Sequence, residues 1–66
     1  MKNNLKVLRA IANISQAELA EKIQVSRQTI NAMELGKYVP STVLALKLAV
    51  YFKKEVGEIF QLEDTD

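Results

Sequence analysis

The stretch Gln16–Glu34, QAELAEKIQVSRQTINAME, constrains this chain more than any other, because it opens two helices in quick succession. Ser15-Gln16-Ala17-Glu18 is an S-x-x-E capping box: the Ser15 hydroxyl accepts from the Glu18 amide, and the Glu18 carboxylate accepts from the Ser15 amide. The helix it opens at Gln16 turns Leu19, Ala20 and Ile23 inward, and Ala20 is small where a crossing helix must come close. Val25 leads to Ser26, which caps another helix from Arg27 to about Leu35. Gly36 closes that helix as the residue that accepts positive φ without strain. The stretch therefore reads as a short helix, a tight turn, and a second helix with a polar outward face.

The flanks supply three further helices. Asn3 or Asn4 caps the first, from about Leu5 to Ala12, with Leu5, Leu8 and Ala12 as its core stripe, widened by Val7 and Ile11. Asn13 then ends it, since Asn substitutes for Gly in the left-handed conformation. Tyr38 to Ser41 is an extended link, because the residue before Pro40 is pushed out of the α region. Ser41 caps a fourth helix from Thr42 to about Phe52. Its apolar set of Val43, Leu44, Leu46, Leu48, Ala49, Val50, Tyr51 and Phe52 covers more than one face, which predicts a central position. Lys53 and Lys54 lie at its C-terminal end, where cations suit the helix dipole. Val56 to Phe60 forms a last short helix, weakened by Gly57 by roughly 1 kcal/mol relative to Ala. Gln61 to Asp66 either frays or pairs as a short strand with Met1 to Asn4. No internal repeat or interdomain linker is visible, so residues 1–66 are expected to form one domain.

On a wheel of 100° per residue, the third helix puts Ile30, Met33 and Glu34 on one side and Gln28, Asn31 and Ala32 on the other. Gln and Asn can each bond bidentately to adenine, and Ala allows close approach or contact with a thymine methyl. Arg27, at the first helical position, can reach a phosphate or a guanine edge. Two carboxamides and an Arg, with no acid on the outer face, point to DNA base contacts by Arg27, Gln28, Asn31 and Ala32. Backbone contacts are expected from the rim. Gln16, side chain and amide, sits at a helix N-terminus that favours an anion; Ser26 and Thr29 lie in the first turn of the third helix. Lys37, Tyr38 and Thr42 extend the line, and Lys22 is a weaker candidate. Glu34 falls on the inward side, where a lone carboxylate is costly. Arg9 is its expected structural partner.

Composition narrows the classes. A chain of 66 residues buries only about 60% of its unfolded surface, which leaves a small core and room for help from a partner subunit. Cys and His are both absent, which removes thiolate nucleophiles, disulfides, zinc-finger sites and imidazole acid–base chemistry together. No catalytic residues, metal or cofactor are expected. No signal peptide or membrane-spanning run is visible, so the expected location is cytoplasmic. The net charge of +1 conceals a split: up to Lys54 nine basic residues face three acids, a balance of +6, and beyond it Glu55, Glu58, Glu63, Asp64 and Asp66 stand alone. A basic body with an acidic tail suits a domain that meets a polyanion on one side.

Gln16, Ala20, Val25, Ile30, Met33 and Glu34-Leu35-Gly36-Lys37, with Pro40-Ser41 and Val56-Gly57-Glu58-Ile59-Phe60, resemble the phage Cro and C1 repressor type of helix-turn-helix, also called the XRE family. The likeness covers residues 5 to 60 and is greatest to compact dimeric repressors of the cytolysin-regulator kind. It implies an all-α, five-helix lambda-repressor-like domain with a short terminal strand pair, binding operator DNA as a homodimer with the third helix in the major groove. By position it implies that Gln16 clamps a phosphate, that Arg27, Gln28 and Ala32 face bases with Asn31 nearby, that Lys37 touches backbone, and that Arg9 pairs with Glu34. Three residues depart from the pattern. Gln24 stands where the turn usually carries Gly, Leu35 where a polar or basic residue is common, and Asn13 replaces the usual Gly.

The expected function is therefore a sequence-specific transcriptional regulator, in the first place a repressor, bound as a homodimer to a palindromic site with half-sites about 34 Å apart. Tyr51, Val56, Ile59, Phe60 and Leu62 are the candidate dimer surface, with the intramolecular core as the alternative for Phe60. The competing reading is an antitoxin or other protein-binding helix-turn-helix module whose DNA contact is autoregulatory. A second regulatory protein is an open partner; a membrane or a small-molecule ligand is not expected.

Overall fold

The computed structural model describes residues 1–66 and contains five helices and one strand pair: β1 (Lys2–Asn3), α1 (Leu5–Ala12), α2 (Gln16–Ile23), α3 (Arg27–Glu34), α4 (Thr42–Phe52), α5 (Val56–Ile59) and β2 (Phe60–Gln61). The capping chemistry sets the helix starts. Ser15, Ser26 and Ser41 each have extended backbone, and their hydroxyls accept from the amides of Glu18, Thr29 and Leu44. At Ser15 the box is complete, with its own amide donating to Glu18 Oε1 at 3.0 Å. The start of α1 is shared between two asparagines: Asn4 occupies the cap position, while the Leu5 amide donates to Asn3 Oδ1 at 3.1 Å.

The helix ends repeat one device. Asn13, Gln24, Gly36 and Lys53 all take φ between 56° and 75°. In each case the following amide reaches back to a carbonyl five residues earlier: Ile14 to Arg9, Val25 to Ala20, Lys37 to Ala32 and Lys54 to Ala49. These are Schellman closures, and they satisfy the last carbonyls of α1 to α4. Gln24 makes the tight turn despite its Cβ, as the α2 to α3 spacing required.

The core is a single cluster of Leu5, Leu19, Ala20, Ile23, Ile30, Met33, Leu44, Leu48, Ile59 and Phe60. α2 and α3 cross against one another, and α4 packs on α2 and α5. The strand pair ties the ends together antiparallel, with Lys2 opposite Gln61 and Asn3 opposite Phe60. The Asn4 amide extends it by donating to the Ile59 carbonyl at 2.9 Å. Of the two fates open to the tail, pairing is therefore the one observed, and it begins one residue early. Phe60 is extended at φ −118°, ψ 135° and belongs to the strand, not to α5.

Two expectations about packing are corrected. Within α1 only Leu5 is buried and Leu8 half-buried, whereas Val7, Ile11 and Ala12 face solvent. The helix lies at the rim, and Arg9 uses its inward side. α4 buries Leu44 and Leu48, one turn apart, but leaves Val43, Leu46 and Val50 exposed. No element crosses that far side, so α4 is a wall of the core and not its centre.

Candidate nucleic-acid interface

α3 is presented by its ends. Ser26 fixes its start, with its hydroxyl accepting from the Thr29 amide at 3.1 Å and lying 2.9 Å from Thr29 Oγ1. Ile30 and Met33 anchor the inner face in the core. That leaves Arg27, Gln28 and Asn31 exposed. With Gln16 from the start of α2 they line a concavity of about 350 Å³ that contains no apolar and no acidic side chain. The side chains of Arg27 and Gln28 make no hydrogen bond within the chain, so their donors and acceptors face outward.

Gln16 plays a part that its spacing did not reveal. Its Nε2 donates both to Asn31 Oδ1 and to Glu34 Oε1, each at 3.1 Å. The bond to Asn31 takes one of the two lone pairs of its Oδ1, and the Asn31 NH₂ group, with no partner in the chain, is left as a donor. With both Gln16 side-chain donors engaged, the groups free for an anion at this end are the backbone amides of Gln16 and Ala17, which have no partner in the chain. Such amides at a helix N-terminus favour negative charge.

Behind the concavity lies the Arg9–Glu34 pair. Arg9 Nε donates to Glu34 Oε2 at 2.7 Å and Nη2 to Oε1 at 3.1 Å, a two-pronged contact. Arg9 Nη1 donates in addition to the Ile14 carbonyl at 3.1 Å. Burial alone pushes the Glu34 carboxyl up. The Arg9 and Gln16 hydrogen bonds, with the charges of Arg9 and Lys6, outweigh it and hold the group below its ordinary range. The Arg9 guanidinium is raised in turn, chiefly by its bond to Glu34. A chain of contacts therefore runs Arg9–Glu34–Gln16–Asn31, from the structural pair to the outer face.

The remaining candidates are dispersed. Ala32 is half-buried and lies outside the concavity, although the wheel put it on the outer face. Ser26 and Thr29 are committed to the α3 cap and to each other. Lys37 is exposed, as is Tyr38. Thr42 lies by a different depression, shared with Met1, Val39, Pro40 and Phe60, which has no residue in common with the first. Among the dimer candidates, Ile59 is 0% and Phe60 8% exposed. Both pack in the core of their own chain, because α5 and β2 close its lower end; Ile59 offers no surface, and Phe60 only the edge that lines the depression beside Thr42. Tyr51 and Val56 are half-buried and Leu62 is exposed.

No helix is long and apolar enough to cross a membrane. Residues 5–59 match the helix-turn-helix family. The chain is 52% identical over 66 residues to an uncharacterised HTH-type transcriptional regulator of Methanocaldococcus jannaschii, covering all of both chains. It is 47% identical over 64 residues to the uncharacterised HTH-type transcriptional regulator YgzD of Bacillus subtilis, covering 97% of each. A third relative, from Archaeoglobus fulgidus and of the same description, is 39% identical over 66 residues, which is all of this chain and 93% of that one. On fold, motif and this relationship together, the chain belongs to the helix-turn-helix family, of the Cro and C1 repressor type.

Proposed function

We propose that these residues form one DNA-binding domain of a sequence-specific transcriptional repressor, which binds a palindromic operator as a homodimer with α3 in the major groove. The observation that carries this reading is the convergence of Gln16, Arg27, Gln28 and Asn31 on one polar, acid-free concavity at the start of α3. Arg27 and Gln28 read base edges. Asn31 joins them as a donor, oriented by Gln16. The free amides of Gln16 and Ala17 take a phosphate, and Lys37, Tyr38 and Thr42 add backbone contacts that set register without reading sequence. The names of the relatives, all HTH-type transcriptional regulators, support the regulatory role.

Selection of bound sequences from random DNA at fixed salt tests the reading, followed by Gln28→Ala on the selected operator. The variant should lose about 1 to 3 kcal/mol and relax preference at one base pair per half-site. An equal loss on operator and random DNA defeats base reading by Gln28. For the dimer, the exposed Leu62, with the half-buried Tyr51 and Val56, is what remains of the candidates. Leu62→Asp should be monomeric by sedimentation at concentrations where the parent chain is dimeric.

A further inference from the structure

α4 carries an apolar face that its own chain does not cover. Val43, Leu46 and Val50 are 64%, 53% and 78% exposed, and their i, i+3, i+7 spacing puts them on one stripe. Together with the C-terminal end of α2 they form a groove of about 510 Å³ that is rimmed by Lys22 and Lys47 and contains no acid. Lys47 Nζ lies 3.4 Å from Gln24 Oε1, a long and exposed contact. The groove shares no residue with the concavity at the start of α3, so an occupant leaves the DNA-reading side chains free.

We propose that this groove receives Leu62–Asp64 of a second copy of the chain. The inference rests on the homodimer reading above and deepens it by naming where the exposed tail residue goes. Leu62, at 79%, is the most exposed large hydrophobic residue in the molecule, and Glu63 and Asp64 follow it directly. Leu35 also neighbours an acid, but the Glu34 carboxylate is taken by Arg9. Glu63 is engaged by the Met1 ammonium at 2.9 Å, whereas the Asp64 carboxylate has no partner in its own chain. An apolar anchor followed by a free carboxylate is the complement of an apolar floor rimmed by lysines. Packing α4 against α4 would instead bring two sets of lysines together, which opposes association. Reciprocal insertion, each tail in the other's groove, gives a closed two-fold pair with identical contacts on both sides.

Sedimentation equilibrium on the full chain tests the assignment, with thermal unfolding at monomeric concentrations confirming that each variant folds. Val50, Lys47 and Asp64 are all exposed, so substituting them leaves the core intact. Val50→Glu is expected to weaken the dimer at least about tenfold. Lys47→Glu and Asp64→Lys should each weaken it about tenfold, and the two combined should return it to within about threefold of the parent chain. A dimer that Val50→Glu leaves unchanged, or a charge swap that fails to restore association, overturns the groove assignment while the homodimer stands. A parent chain that is monomeric at every concentration overturns both.

Discussion

Glu34 joins the structural pair with Arg9 to the proposed recognition face through Gln16. Its side chain is 6% exposed and its oxygens accept from Arg9 and Gln16. The pair is partly buried, with Arg9 16% exposed, so removing one partner leaves the other only partly uncompensated. Glu34→Ala should therefore lower unfolding free energy by about 1 to 3 kcal/mol in urea titrations. The pair also sets a pH dependence. The folded carboxyl titrates below its ordinary value, so the unfolded chain takes up the proton first. The contribution is complete above the unfolded pKa of about 4.3 and fades as pH falls through the folded value. Urea midpoints between about pH 5 and pH 3 should fall more steeply for the parent chain than for Glu34→Gln; parallel curves would show that Glu34 is not the group responsible. The pairing of Arg9 and Glu34 was readable in the sequence, since an inward carboxylate demands a cation. The Gln16 bridge was not, because a carboxamide at a helix start is equally suited to a phosphate. Lys53 was missed for a related reason. Asn13, Gln24 and Gly36 announce their turns by residue type or motif spacing, whereas Lys53 is fixed at φ 56° by the return of the chain onto α4. That conformation costs a residue with a Cβ about 1 to 2 kcal/mol. Lys53→Gly should stabilise the fold by about 0.5 to 1 kcal/mol, the relief being partly offset by the greater freedom of an unfolded glycine.

Among the elements, α5 is the weakest by its own chemistry and among the most dependent on its neighbours. It has four residues, one of them Gly57, and it is held by Ile59 in the core and by the Asn4 side chain, whose Nδ2 donates to the Glu58 carbonyl at 2.9 Å. A Cβ built at Gly57 meets nothing within 4 Å, and the residue is not at positive φ. Gly57→Ala should therefore stabilise by about 0.4 to 1 kcal/mol, mainly by restricting the unfolded chain, as measured by thermal or urea unfolding. A loss would mean that α5 needs a flexibility the static packing does not display. The same comparison of elements shows what periodicity can and cannot reveal. Spacing located every helix, and the serine caps located three starts to the residue. It could not tell which apolar face of α4 is covered, because Val43, Leu46 and Val50 are as hydrophobic as Leu44 and Leu48; coverage depends on which other elements cross the helix. Strands of two residues carry no alternation to detect, so the pairing of Lys2–Asn3 with Phe60–Gln61 could only be left open.

For the whole molecule, the placement of charge decides how binding should respond to salt. The acids beyond Lys54 gather at the closed end of the fold, where Glu63 and Asp66 accept from the Met1 ammonium, and none of them lines the concavity of Gln16, Arg27, Gln28 and Asn31. The basic body therefore presents its charge to DNA without opposition from the tail. Each phosphate contact made by a lysine or arginine contributes about 0.9 to the slope of log affinity against log salt. Lys37, proposed above as a backbone contact, is the simplest to remove, because it is exposed and its ammonium pairs with no acid of its own chain. If two protomers bind one operator, Lys37→Ala deletes two contacts at once, and the slope should flatten by about 1.8; a single bound protomer gives about 0.9. The loss of affinity should be the same on operator and on random DNA, in contrast to Gln28→Ala. Titrations at several salt concentrations thus count protomers on the DNA without relying on sedimentation. An unchanged slope would remove Lys37 from the interface, and a change near 0.9 would speak against two copies sharing the site.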